Sequence, residues 1–118
     1  TGAIRDLSER TAVPLEVRST GLEERLPAAI ESTVYFVVLE SVTNAVKYAA
    51  ASGIWVDLRR DNGLLSAEVR DDGLGGAALG GGSGLEGIRD RVRALNGSLT
   101  VESGAASGTV VRALIPCG

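Results

Sequence analysis

The stretch RDDGLGGAALGGGSGLEGIRDRV, residues 70–92, places a run of glycines between a segment patterned as a strand and a segment patterned as a helix. Before the glycines, apolar and polar residues alternate over 65–70, which predicts a half-buried strand. After them, apolar residues recur at helical spacing from Leu85 to Leu95, and Gly97 stands where a helix stop is expected. The chain therefore passes from strand to helix through a glycine-rich loop.

Upstream of this loop, the sequence predicts a strand and a long helix. Residues 13–17 alternate around Pro14, and proline restricts such a strand to the edge of a sheet. The segment from Pro27 to about Ala50 is apolar on nearly every side, which is typical of a buried helix. The β-branched residues of 34–39 also allow a buried strand, but the length of the segment and its lack of turn residues favour the helix.

Two pairs of alternating segments predict β-hairpins. The first pair, 54–58 and 65–69, is joined by Asn62-Gly63, a strong tight-turn signal. The second pair covers 99–101 and 111–115 near the end of the chain. Neighbouring hairpins imply a mixed but mostly antiparallel sheet of five strands.

These elements predict an α+β two-layer sandwich, because the helices must cover the one apolar face of the sheet. We assign 13–118 to one domain and 1–12 to a linker or short helix, in which Ile4 and Leu7 could face a core. A length of 118 residues leaves room for little more than one domain. Because the chain contains no methionine, residue 1 is not an initiator, and we expect the chain to be a fragment or a processed piece.

The composition excludes several classes of function. Twelve basic and 15 acidic residues give a formal charge of −3, which argues against a nucleic-acid module. The lack of histidine excludes His-ligated metal sites and Ser-His-Asp or Cys-His catalysis. The single cysteine, Cys117, excludes an intramolecular disulfide and fits a reducing compartment. There is no signal-peptide pattern and no apolar run of the roughly 20 residues that span a bilayer.

Four polar residues form one stripe on the long helix: Glu40, Asn44, Lys47 and Tyr48. Polar groups on a buried helix need polar partners. Because a glutamate and an asparagine one turn apart offer oxygen ligands, they could share a magnesium ion. Alternatively, the stripe reaches the surface at the helix end, and Lys47 and Tyr48 are simply solvated.

The glycine-rich loop carries two further candidate sites. By alternation, Asp71 points towards the helices, and glycines behind it, Gly73 and Gly75, let a ligand approach the backbone. A plain Asp-Gly turn is the alternative. The glycines that open the second helix offer free N–H groups and the positive end of a helix dipole to phosphate, unless the loop is only a flexible linker.

The string Gly82-x-Gly84-x-x-Gly87 also matches the dinucleotide-binding fingerprint, with Glu102 near the expected position of a ribose acid. We reject this interpretation because no strand directly precedes the first glycine, and the hairpin that follows cannot build a parallel sheet. Thr109, on the last strand, shares a face with Val111, so its hydroxyl is also expected under the helices.

Together these motifs resemble the ATP-binding domain of sensor histidine kinases, whose Bergerat fold they follow in order. The run from Glu40 to Tyr48 looks like the N box, and Asp71-x-Gly73-x-Gly75 looks like the first glycine box. The run Gly82-x-Gly84-Leu85-x-Gly87 resembles the second, and Gly108-Thr109 resembles the strand motif that closes the adenine pocket. The segment 84–92 is most similar to the nitrate-sensor branch, the NarL-partner kinases.

The resemblance implies a role for each matching residue. Asp71 would accept the adenine amino group, with Thr109 in support, and Asn44 would ligate the magnesium ion bound to the phosphates. Glu40 matches the acid that acts as general base in related ATPases and helps to set the phosphoacceptor in kinases. The resemblance also implies contacts to ATP for two further sets of residues. Lys47 and Tyr48 would contact phosphate or ribose, while Gly82, Gly84 and Gly87, with Leu85 beside them, would form the lid hinge and phosphate nest.

The implied function is binding of Mg-ATP and transfer of its γ-phosphoryl group to a histidine. Since this chain has no histidine, the acceptor would lie on an upstream dimerisation domain, which would pass the phosphate to a response regulator. The domain is expected to be cytoplasmic and not inserted in a membrane, whether or not its parent is anchored. Alternatives of the same fold are an anti-sigma-factor serine kinase, a gyrase-type ATPase and a degenerate nucleotide-binding module.

Overall fold

The computed structural model describes residues 4, 7, 9, 11, 13–22, 26–47, 51–73, 84–104 and 108–117, and of Lys47 it describes the backbone. The described elements are, in chain order, β1 (Leu15–Thr20), α1 (Ala28–Lys47), β2 (Ile54–Asp61), β3 (Leu64–Asp71), α2 (Leu85–Ala94), β4 (Ser98–Gly104) and β5 (Gly108–Pro116).

The strands form one five-stranded sheet in the order β1-β2-β3-β5-β4. Strand β1 runs parallel to β2, and every other neighbouring pair is antiparallel. The prediction of a mixed, mostly antiparallel sheet is therefore confirmed. Strand β1 lies at an edge, as Pro14 predicted, and the Pro14 carbonyl accepts a hydrogen bond from the Ile54 N–H at 3.0 Å.

Both helices pack on one face of the sheet, so the two-layer arrangement is also confirmed. In β3 the side chains of Leu65, Ala67 and Val69 are buried under the helices, while Leu64 and Arg70 are exposed on the opposite face. Burial on one face and exposure on the other is what period-two alternation requires.

Helix α1 is the centre of the core. Its residues Val37 and Val38 are fully buried, and the segment 34–39 is helical, so the alternative of a buried strand is wrong there. Tertiary packing along this 20-residue helix outweighs the modest helix propensity of its β-branched residues. Ile4 and Leu7 are helical and join the same core. No helix in the described part of the chain is long and apolar enough to span a membrane.

The turns follow the sequence closely, with one shift. Asn62 and Gly63 both have positive φ, 52° and 75°, as the predicted tight hairpin turn requires. Helix α2 ends at Ala94, and the left-handed residue after it is Asn96, with φ 62°, directly before Gly97, where a helix stop is expected. Gly97 is needed for another reason, since a Cβ there would lie 2.9 Å from Cγ1 of Val92.

Candidate functional site

The carboxyl end of α1 and the carboxyl end of β3 lie at the same end of the domain. The Ala51 N–H donates to the carbonyl of Ala45 in α1 at 3.3 Å, which turns the chain back towards the sheet. Two residues later, Gly53 donates its N–H to Asp72 at 2.9 Å. The first residue of β2, Ile54, then pairs with Asp71, the last residue of β3.

Asp71 is a buried carboxylate at the edge of this junction. It is 7% exposed, on the helix side of the sheet, as alternation along β3 predicts. Its Oδ1 accepts the Gly73 N–H at 2.8 Å, and among the described residues this is the one donor to the carboxylate. A buried carboxylate with most of its acceptor capacity unused is suited to a ligand that brings its own N–H donor.

Thr109 lies directly beside Asp71, because the two residues are partners in the antiparallel pairing of β3 with β5. Thr109 is 5% exposed, and its hydroxyl is 3.1 Å from the hydroxyl of Ser103 on β4. Sequence reasoning missed Ser103. The available signal was alternation along β4, which puts Ser103 on the same face as Leu99 and Val101.

Asn44 is buried near the carboxyl end of α1. It is 8% exposed, and its Nδ2 has no hydrogen-bond partner among the described residues. Glu40, one turn earlier, is half-buried. The alternative, that Lys47 and Tyr48 are simply solvated at the helix end, concerns side chains outside the described part of the chain. Lys47 is the last residue of α1, and Tyr48 lies outside the described residues, as do Gly75 and Gly82.

The amino end of α2 meets α1 at Glu40. Gly84, the residue before the helix, has a left-handed conformation with φ 85°, and a Cβ on it would lie 2.7 Å from Cδ of Glu40. Further along α2, the Arg91 guanidinium stacks on the ring of Phe36 at 4.4 Å, one turn before Glu40. The two helices thus run in opposite directions, with Glu40 facing the start of α2.

The other residues of the second glycine motif fall into different environments. Leu85 is fully buried and anchors the first turn of α2, whereas Gly87 is exposed within the helix with nothing within 4 Å of a Cβ built on it. The rest of the glycine-rich stretch, residues 74–83, lies outside the described residues. The start of α2 therefore offers backbone N–H groups and the positive end of a dipole beside Glu40.

Asp72, next to Asp71, has a different environment. Hydrogen bonds from the Ser52 hydroxyl and from the Gly53 and Ser52 N–H groups hold the pKa of the Asp72 carboxyl below its usual value. Within the described part of the chain, no group of three or more Asp, Glu, Cys or His side chains is arranged to hold a metal ion. A cation here would depend on Asn44, Glu40 and oxygen atoms supplied by a ligand.

The arrangement suits an elongated ligand with two chemically different ends. One end meets the buried Asp71 carboxylate and the Thr109 hydroxyl, which recognise an N–H donor. The other end meets Asn44, Glu40 and the start of α2, which suit an anion together with a cation.

A protein-family comparison matches residues 29–118 to the model described as histidine kinase-, DNA gyrase B- and HSP90-like ATPase. Among curated proteins, the chain is 35% identical to an uncharacterised sensor-like histidine kinase of Chloroflexus aurantiacus, over 96% of this chain and 20% of that protein. It is 30% identical to the sensor histidine kinase YxjM of Bacillus subtilis, over 98% of this chain and 29% of that protein. The chain thus spans less than a third of either relative.

Solved structures have the same fold. The histidine kinase domain of the blue-light activated histidine kinase EL346 from Erythrobacter litoralis matches with a TM-score of 0.68 and 27% identity, over 98% of this chain and 57% of that one. Full-length ShkA in complex with AMPPNP matches with a TM-score of 0.77 over 99% of this chain and 30% of that one. At 19% identity, the likeness to ShkA concerns the fold alone.

Proposed function

Because this chain belongs to the family of histidine kinase-, DNA gyrase B- and HSP90-like ATPases, we propose that it is the ATP-binding catalytic domain of a two-component sensor histidine kinase. The observation that carries the proposal is the pairing of buried Asp71 with buried Thr109 at the end of the domain that also holds Asn44. The nitrate-sensor branch remains our proposal for the subgroup, on the residues of 84–92.

In this proposal Asp71 recognises adenine. Its carboxylate accepts the 6-amino group, and Thr109 supports the same edge of the base directly or through water. The low exposure of both residues strengthens such bonds, because little water competes for them. Gly73 and Gly75 keep the backbone beside the base free of side chains.

The phosphates lie towards α1 and α2. Asn44 is the residue that would ligate Mg²⁺, and its unpartnered Nδ2 fits a neighbouring phosphate oxygen. The magnesium ion, when bound, neutralises charge on the β- and γ-phosphates. Lys47 and Tyr48 contact phosphate or ribose, and Gly82, Gly84 and Gly87 provide the lid hinge and the phosphate nest, with Leu85 holding the helix start.

Glu40 acts at the other side of the γ-phosphate. It faces the start of α2, where the phosphates are bound in this proposal, and it orients the incoming phosphoacceptor. The acceptor is a histidine, and since this chain contains none, it belongs to a dimerisation domain outside the chain. That domain then passes the phosphate to an aspartate of a response regulator. The kinase reaction takes place in the cytoplasm, where ATP is supplied.

The test is phosphoryl transfer in trans. This chain, with Mg-ATP and the parent kinase's histidine-bearing domain at high concentration, should phosphorylate that histidine slowly, giving an acid-labile product. Alone, it should bind ATP without labelling itself, because the proximity of the acceptor is lost. The Glu40→Ala variant should lose transfer more than ATP binding. Phosphorylation of a serine on an antagonist protein would indicate an anti-sigma-factor kinase. Rapid ATP hydrolysis without an acceptor would indicate a gyrase-type ATPase. Nucleotide binding with neither phosphoryl transfer nor hydrolysis would indicate a degenerate module.

A further inference from the structure

Asp72 makes a set of hydrogen bonds that the proposed chemistry does not use. Its Oδ1 accepts the Ser52 N–H at 2.8 Å and the Gly53 N–H at 2.9 Å, and its Oδ2 accepts the Ser52 hydroxyl at 2.7 Å. We call Asp72, Ser52 and Gly53 the Asp72 clamp. Bonds to an ionised carboxylate are stronger than bonds between neutral groups.

The clamp joins the two elements that carry the site. Ser52 and Gly53 lie in the short connection between α1 and β2, which the Ala51 N–H ties back to Ala45 of α1. Asp72 directly follows Asp71, and its own N–H points to the Gly53 carbonyl at 3.4 Å. The clamp therefore fixes the end of β3 against the segment that leaves the helix of Asn44.

The clamp is also supported from the opposite face of the sheet. A Cβ on Gly53 would lie 3.0 Å from the indole ring of Trp55, so the ring lies against the Gly53 backbone. The Arg70 guanidinium stacks over the same ring at 5.7 Å from its centroid. Trp55 on β2 and Arg70 on β3, the strand that ends in Asp71, thus hold Gly53 in place from the outer face of the sheet.

We propose that Asp72 is a positioning residue for nucleotide selection, acting through Asp71. This rests on the proposed role of Asp71 towards adenine. Asp72 is exposed and follows Asp71 by one residue, so it does not share the buried face on which Asp71 lies. Its effect is indirect: Asp71 is the last residue of β3 and pairs with Ile54 and Thr109, and beyond it, where the chain continues into glycines, the clamp adds three hydrogen bonds that hold the backbone.

Comparison of ADP with inosine diphosphate isolates this effect. Inosine carries an oxygen in place of the adenine 6-amino group and a proton on N1, so the ratio of the two affinities reports how Asp71 and its neighbour Thr109 recognise this edge of the base. The wild-type chain should prefer ADP by about tenfold or more, the equivalent of a hydrogen bond to a charged group. Asp72→Ala should reduce that preference by about three- to tenfold, because Asp71 is no longer held in position.

A conservative variant and a control sharpen the test. Asp72→Asn retains an oxygen for the two backbone donors and should keep most of the preference. Asp61→Ala removes an exposed carboxylate at the far end of the same hairpin and should leave the preference unchanged. If Asp72→Ala does not fold, Ser52→Ala, which removes only the hydroxyl of the clamp, should still lower the preference by about twofold or more.

The outcomes separate the positioning role from the proposed function. A wild-type preference for ADP that Asp72→Ala and Ser52→Ala leave intact would overturn the positioning role alone. Equal losses of affinity for ADP and inosine diphosphate would assign Asp72 a purely structural role and overturn the inference too. A wild-type chain without any preference for ADP would overturn both the adenine role of Asp71 and the inference built on it.

Discussion

Gly84 and Glu40 are packed so closely that a Cβ on Gly84 would lie 2.7 Å from the carboxyl carbon of Glu40. Gly84 directly precedes α2 and Glu40 belongs to α1, so this contact sets the distance between the start of one helix and the acid of the other. In the proposed function, that distance is the space in which the γ-phosphate meets its acceptor.

Gly84→Ala should therefore destabilise the fold and weaken phosphate binding. The left-handed φ of 85° costs a residue with a Cβ about 1–2 kcal/mol, and the new methyl group must also displace the Glu40 carboxylate. Urea unfolding measures the first effect. Calorimetry measures the second as a larger loss of affinity for ADP than for adenosine.

The matched control is Gly87→Ala, three residues later in the same helix. A Cβ there meets open space, and alanine favours a helix over glycine, so the free energy of unfolding should rise by about 0.5–1 kcal/mol. Equal stability effects of the two substitutions would contradict the tight contact between Gly84 and Glu40.

Gly108→Ala should be more damaging to stability than Gly84→Ala. Gly108 also has a left-handed φ, 83°, and its Cβ would lie 3.0 Å from the carbonyl carbon of Asp71 and 3.3 Å from Cα of Asp72. Backbone cannot move aside as a glutamate side chain can, so the loss should exceed the roughly 1–2 kcal/mol of backbone strain alone. Thermal or urea unfolding decides this, and an equal or smaller loss than for Gly84→Ala would contradict it.

Asn44→Ala should weaken the binding of Mg-ADP while changing the stability of the fold little. The buried Nδ2 has no described partner, so removing it relieves an unsatisfied donor worth about 1–3 kcal/mol and offsets the lost packing. Stability should change little, whereas affinity for Mg-ADP should fall about tenfold or more and affinity for adenosine should hardly change. Equal weakening of both ligands would assign Asn44 a structural role.

Asp72 should contribute stability that depends on pH. Its hydrogen bonds from Ser52 and Gly53 lower the pKa of the folded carboxyl below the unfolded value of 3.8, so the unfolded chain binds the proton more readily. The contribution is complete above the unfolded pKa and is lost as pH falls through the lower, folded pKa. The stability difference between wild type and Asp72→Asn should therefore shrink in urea titrations as pH falls through the unfolded pKa of 3.8 and on through the lower, folded pKa, with Asp61→Asn as charge control. A constant difference would contradict the lowered pKa.

Much of the fold could be predicted because strong local signals agree with it. Asn62-Gly63 alone specifies the hairpin, and alternation along β3 puts Asp71 on the buried face. Periodicity could not predict the side-by-side register of Asp71 and Thr109, which depends on β5 pairing with β3 across residues that intervene in the sequence. It also gave Gly97 as the expected helix stop and did not single out Asn96, which takes the left-handed conformation after α2 because asparagine, like glycine, can adopt it.

The candidate site residues are proposed from their motifs, and the motifs do not include the residues that support them in the structure. Asp72 and Ser52 lie 20 positions apart, and no periodic pattern connects them. Ser103 became visible only once β4 was paired with β5, which brings its hydroxyl to Thr109. Contacts of this kind depend on the register of paired strands and on the path of the loops, and both are set only when the chain has folded.

The most direct test of the nucleotide site is calorimetry of ADP binding to Asp71→Asn. The substitution keeps the size of the side chain but presents an amide donor where the carboxylate accepts the adenine amino group. Loss of a hydrogen bond to a charged group costs about 1.5–3 kcal/mol, so affinity should fall about tenfold or more while the chain remains folded. An unchanged affinity for ADP would contradict the assignment of Asp71, and with it the account of this site.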